Sequence, residues 1–172
     1  MRLPRPLYTA IRRMVPIVCV DALPFRREDD ALEIGMIWRD DGSPPERGWA
    51  LVGGAIRRGE SITDALSRHL VETLGPDTRW ALPDDGTPAR VDQYFPRPRE
   101  GGHVDPRKHA IALTYAVPYL GGELHPAGEA ESFRWFALDA VPGGDEGAYG
   151  HLEVVAQILS RDERFTDQVN VR

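Results

Sequence analysis

The sequence predicts an α/β fold in which a mixed β-sheet is held between helices. Two observations carry this. Apolar, β-branched runs lie on both sides of one amphipathic helix, and a second amphipathic stretch follows the last of them. VPIVCVDALPF (15–25), LEIGMIWRD (32–40) and HAIALTYAVPYL (109–120) have the composition of strands. The first helix runs over Ile62–Leu74, with Ile62, Leu66, Leu70 and Leu74 recurring every four residues. At 172 residues, one domain spanning 1–172 is expected, long enough for a core without disulfides or metals.

Taken in order, the chain opens with a short helix over 4–14. Leu7, Ile11 and Met14 share one face, and Arg12 and Arg13 lie opposite. Strand 15–25 follows, with Cys19 as a small buried residue and Asp21 as a carboxylate that needs a partner. Residues 26–31 form a polar turn, and 32–40 returns as the second arm of a hairpin that ends in Arg39, a candidate anion contact. Trp49 leads a short apolar run into Gly53-Gly54.

The stretch from 53 to 75, GGAIRRGESITDALSRHLVETLG, organises the rest. Glycines let a backbone approach a ligand and present its carbonyls. Ser61 is placed to cap the helix, with Asp64 three residues on in a variant of the capping box, and Gly75 stands where the helix ends. Asp64, Arg68 and Glu72 line one helix face, and Glu60 reaches back to Arg68.

Residues 76–90 read as a polar loop, 91–97 as a strand, and 99–109 as a second loop dense in ionisable groups. Asp105, Arg107, Lys108 and His109 are candidates there for gripping phosphate or acting as a base. Pro118 suggests an edge or a bulge in strand 109–120. Glu129 and Glu131 precede the strand FRWFAL. A helix over 147–161 buries Leu152, Val155, Ala156 and Leu159, and the tail after about 162 reads as loose.

Gly54, Glu60, Arg68, Leu70, Glu72 and Gly75 stand in the register of the Nudix box, G-x5-E-x7-R-E-U-x-E-E-x-G-U with U aliphatic, and the stretch resembles it. His69, Thr73 and Pro76 depart from it, so two glutamates that are usual metal ligands of the family are missing. Pro16, Asp21 and Arg39 also stand where one branch, the GDP-mannose mannosyl hydrolases, carries nucleotide-sugar contacts. That branch keeps the glutamate that Thr73 replaces, and its catalytic histidine falls on Ala130.

The resemblance implies a Nudix-like α/β/α sandwich with a mixed β-sheet. It implies hydrolysis of a nucleoside diphosphate linked to another moiety, with a nucleotide sugar as the leading form. Mg2+ or Mn2+ would be held, weakly, by Glu72, Glu129 and the carbonyl of Gly53 or Gly54. Arg68, Glu72, Glu131 and His109 are the expected catalytic set; Asp21, Arg39, Asp105 and Arg107 are expected to bind substrate, with Glu60 structural. The rival reading is a catalytically impaired Nudix-fold module that binds or senses a nucleotide-type ligand.

The formal net charge of −6 argues against a nucleic-acid backbone as partner, since there is no basic excess to neutralise phosphates. No apolar run approaches the roughly 18 residues of a membrane span, and the N-terminus lacks an apolar targeting segment. The expected setting is therefore the cytoplasm, with a small nucleotide-type molecule as partner and a homodimer left open.

Overall fold

The computed structural model describes residues 4–42, 45–84 and 86–169. Helix α1 (Arg5–Met14) leads into strand β1 (Ile17–Glu28), which turns back as β2 (Ala31–Asp40). The turn is tighter than the sequence suggested. Strand pairing continues through Glu28↔Ala31, and Asp29 and Asp30 alone make the reversal, at φ 45° and 66°. Aspartate tolerates this left-handed region better than most residues, and the two-residue geometry matches the twist of the flanking strands.

After β3 (Arg47–Ala50) and β4 (Val52–Ala55) comes helix α2 (Ile62–Leu74), with the expected boundaries. The capping box is present: Ser61 Oγ accepts from the Asp64 N–H at 3.1 Å, and Asp64 Oδ2 accepts from the Ser61 N–H at 3.4 Å. Two short strands lie inside stretches read as loops, β5 (Arg79–Trp80) and β7 (His103–Val104). Strands β6 (Arg90–Phe95), β8 (Ala110–Gly121) and β9 (Ser132–Ala137) complete the sheet.

The sheet runs β3-β2-β1-β8-β6-β7, with β4 added to β1, β5 to β8 and β9 to β2. It is mixed: β1 and β8 are parallel over Ile17↔Ala110 to Phe25↔Pro118, and most other pairs are antiparallel. Strand β1 takes β4 along Cys19–Ala22 and β2 along Phe25–Glu28, so two strands diverge from one side of it. Strand β8 is internal. Pro118 lies beyond Thr114, the last β8 residue in register with β6.

Two apolar layers result. Leu66, Leu70 and Leu74 of α2 pack with Val20, Tyr115 and Val117. Helix α3 (His151–Arg161) buries Leu152, Val154, Val155 and Ile158 with Leu23, Ile34 and Phe136. Ala156, expected in the buried stripe, is exposed, and Val154 takes the core position instead. The helix starts at His151 because Gly150 turns left-handed at φ 79° just before it. The tail expected to be loose forms α4 (Glu163–Val169), whose Phe165 is fully buried and meets Phe25 edge-on at 5.3 Å. An aromatic side chain placed against a strand offsets the entropy of ordering a short helix. No helix among the described residues is long and apolar enough to cross a membrane.

Candidate functional site

Strand pairing brings the glycine pair to the first strand. Asp21 stands opposite Gly53 and Val20 opposite Gly54. A Cβ at 53 would strike Asp21 Oδ1 and the Val20 carbonyl, and one at 54 would lie 2.8 Å from His69 Cε1. Glycine is thus required by close approach at both positions.

Above this pairing lies a pocket of about 120 Å³. Of the residues singled out from sequence, Asp21, Arg39, Gly53, Gly54, Asp105, Arg107 and Glu129 line it. Lys108, likewise a candidate from the sequence, lines it too, together with Cys19, Tyr94, Tyr149 and His151. Arg39 and Arg107 are held by carboxylates. Arg39 meets Glu129 at 3.1 Å and Asp41 through Nε at 3.0 Å. Arg107 makes a two-point pair with Asp105 at 2.9 and 3.0 Å. Both guanidiniums lie over the ring of Tyr149, at 5.2 and 4.4 Å from its centroid. Tyr149 has φ 55°, uncommon for an aromatic residue and the sort of backbone outlier that clusters at functional sites.

Other groups in the pocket are not satisfied. Lys108 has no carboxylate partner among the described residues; its Nζ donates to Cys19 Sγ at 3.4 Å. The hydroxyls of Tyr94 and Tyr149 are buried without a hydrogen-bond partner among the described residues. Buried polar groups are normally paired, so such a cluster needs an explanation. His151 is buried between the two tyrosine rings, each 5.9 Å away. Its Nδ1 accepts from the Leu51 N–H at 3.0 Å, which puts the ring proton on Nε2. Burial pushes its pKa down to about 3, so the ring stays neutral.

Burial pushes the Asp21 carboxyl up to about 7, against the opposing pull of Lys108. Burial likewise raises Glu129, even with Arg39 beside it. Burial acts upward on Asp105 too, but the hydrogen bonds from Arg107 outweigh it and hold that carboxyl below its usual range.

The remaining predicted residues lie outside this pocket. Arg68 and Glu60 are paired as expected: Arg68 donates to Glu60 at 2.6 and 2.8 Å and to the Ala55 carbonyl at 3.1 Å. This clasp ties α2 to the end of β4, a structural role. Glu72 is 52% exposed at its side chain and paired with Arg57 at 3.1 Å and Arg68 at 3.4 Å. Glu131 is exposed, its backbone N–H bound to Trp38. His109 lines a neighbouring cleft. Glu129 ends on Arg39, and Glu72 ends on Arg57 and Arg68.

The two substituted box positions have local explanations. His69 wedges against Gly54, with its Nε2 3.3 Å from the Ala55 carbonyl, and burial lowers its pKa. Thr73 faces the core, where a glutamate would be buried, and its carbonyl accepts from the Ala127 N–H. No three His, Cys, Asp or Glu side chains among the described residues are grouped to hold a metal ion. Glu72 is held by Arg57 and Arg68, so a divalent cation bound there would displace two guanidiniums.

Tyr149 and His151 are hidden in the sequence because AYGHL has the pattern of the start of an amphipathic helix. The signal was the aromatic-glycine-histidine run just ahead of the apolar stripe. Tyr94 was read only as aromatic content in a strand.

A family model described as a domain of unknown function, DUF4916, matches residues 4–161. The chain belongs to that family. It is 25% identical over 146 residues to the ADP-ribose pyrophosphatase of Methanocaldococcus jannaschii, covering 84% of this chain and 73% of that one. Among solved structures, one from Jonesia denitrificans DSM 20603 is described as "posible asymmetric diadenosine tetraphosphate (Ap(4)A) hydrolases". It superposes with a TM-score of 0.76 at 29% identity, covering 86% of this chain and 94% of that one. The NUDIX domain of Shewanella oneidensis NrtR, solved with ADP ribose, shares the fold at TM-score 0.55 and 19% identity, over 92% and 99% of the two chains. The DUF4916 chain thus has the fold of the Nudix hydrolase superfamily.

Proposed function

We propose that this chain is a Nudix-type hydrolase acting on a nucleoside diphosphate joined to another moiety, and that the pocket takes the diphosphate. ADP-ribose heads the candidates, with dinucleoside polyphosphates and nucleotide sugars behind it. The carrying observation is a set of groups in the pocket that are unsatisfied among the described residues: a lysine without a carboxylate and two tyrosine hydroxyls without a hydrogen-bond partner, beside Gly53-Gly54. A ligand with anionic oxygens and hydroxyls satisfies both. The names of the relatives agree with that chemistry.

In this reading Lys108, Arg39 and Arg107 neutralise phosphate oxygens by charge-assisted hydrogen bonds. His151 offers a fixed Nε2–H. Asp21, ionising near neutrality, takes a proton from the attacking water or donates one to a ligand oxygen. The whole described domain serves as one scaffold for this site, in a cytoplasmic setting.

A second reading rests on a specific observation. Glu60 and Glu72 are both occupied by arginines, and Thr73 lies in the core. That favours a module that binds the same ligand without cleaving it. A panel of ADP-ribose, diadenosine tetraphosphate and nucleotide sugars decides between them, incubated with Mg2+, with Mn2+ and with chelator. Release of a nucleoside monophosphate, followed by phosphorus NMR, is the expected result. Binding by calorimetry with no product under any condition would leave the binding module.

A further inference from the structure

The pocket of about 120 Å³ is smaller than the roughly 300–1,000 Å³ that sites for whole small ligands occupy. It has room for phosphates and little more. Its wall of Arg107 and Lys108 is shared with a cleft of about 400 Å³ between the end of α1 and the loop that follows β7. Arg12 and Arg13 line this cleft from α1, and His109 lines it from the loop.

No carboxylate lines the cleft among the described residues, in a chain of net charge −6. Arg12 and Arg13 suit the C-terminal end of their helix, which explains why they are cationic. It does not explain why the opposite wall is cationic too. Neither arginine forms an ion pair among the described residues. The remaining walls are apolar: Pro16, Pro96 and Pro106, with Met14 81% exposed at the mouth. His109 stacks on Phe95 at 4.8 Å, and its Nε2 is buried without a hydrogen-bond partner among the described residues. Flat apolar walls, an unsatisfied ring nitrogen and arginines match the base of a nucleoside together with its 5′-phosphate.

We infer that this cleft is the subsite for the nucleoside 5′-phosphate end of the ligand, with the phosphate chain passing Lys108 into the pocket. The inference rests on the pocket being the phosphate site. It assigns Arg12 and Arg13 a part in specificity, since they touch only the nucleoside end.

Calorimetry on the full chain tests this with two probes, ADP-ribose and inorganic pyrophosphate, and with the double variant Arg12→Ala/Arg13→Ala. Circular dichroism and thermal melting confirm that the variant is folded. The expected result is an ADP-ribose affinity at least about tenfold weaker, the loss of one charge-assisted bond or more. Pyrophosphate affinity should change less than about twofold, because that probe needs only the pocket. An unchanged ADP-ribose affinity overturns the subsite. So does equal weakening of both probes, which reflects only two lost charges. If the parent protein binds neither probe, the pocket reading itself falls and takes the subsite with it. Pyrophosphate binding without an effect of the double variant on ADP-ribose leaves the pocket standing and removes only the cleft.

Discussion

Asp21 lies inside strand β1, buried beside Gly53, with its carboxyl pushed up to about 7. The folded protein therefore holds a proton there that the unfolded chain releases near the ordinary carboxylate pKa, 3.8. Stability contributed by this group is fully present below about pH 4 and declines as pH rises through 7. The difference is on the order of 4 kcal/mol. Asp21→Asn should remove that decline, so denaturant melts at pH 5 and pH 8.5 should differ less in the variant than in the parent. Equal pH dependence in the two proteins would contradict the burial argument. Glu60 behaves in the opposite sense. The hydrogen bonds from Arg68 depress it to about 2, so its contribution is present above about pH 4.5 and is lost as pH falls toward 2. Glu60→Ala leaves Arg68, 13% exposed at its side chain, without its main partner, and should destabilise by roughly 3 kcal/mol. Glu72→Ala, at an exposed pair, should change stability by less than about 1 kcal/mol.

At the scale of elements, helix α2 was legible because three signals agree: a four-residue apolar repeat, a capping serine and a terminal glycine. Leu70→Ala should cost about 2–5 kcal/mol, measured by urea unfolding, since Leu70 is fully buried. The strands of the hairpin were legible too, but not their ends. Pairing continues to Glu28 through charged residues, because Arg26 meets Glu33 across the strands at 2.8 Å. Helix α4 was not legible. Its seven residues contain one large apolar side chain, too few for a periodicity, and only tertiary contact shows that Phe165 is a core residue. Phe165→Ala should cost about 3–5 kcal/mol, and a change near zero would show that α4 does not hold the α3 face. The site divides the same way. Asp21, Arg39 and Arg107 could be named from sequence position, while Tyr149 and His151 enter through a left-handed turn that no repeat announces.

For the whole molecule, helix α2 serves as a clasp, and the pocket lies one strand away. Arg68 binds Glu60 and the Ala55 carbonyl, which fixes β4, and β4 in turn sets Gly53-Gly54 against Asp21. The clasp thus positions the floor of a pocket whose charged walls come from β1, β2, the loop after β7 and the loop before β9, with Tyr149 from the turn before α3. His69 and Thr73 both lie on α2 and neither lines the pocket, so its ionisable lining does not depend on them.

The central claim is that this pocket binds the diphosphate of a nucleotide-type ligand, and Lys108→Met tests it most directly. Lys108 has no carboxylate within ion-pair distance among the described residues, although its charge opposes the burial of Asp21, so its removal breaks no ion pair and raises the Asp21 carboxyl further. Methionine keeps the apolar stem, and the melting temperature should be unchanged or higher. Calorimetric titration with ADP-ribose should show affinity weakened about tenfold or more. Unchanged affinity in a folded Lys108→Met protein, with the parent binding ADP-ribose, would contradict the claim.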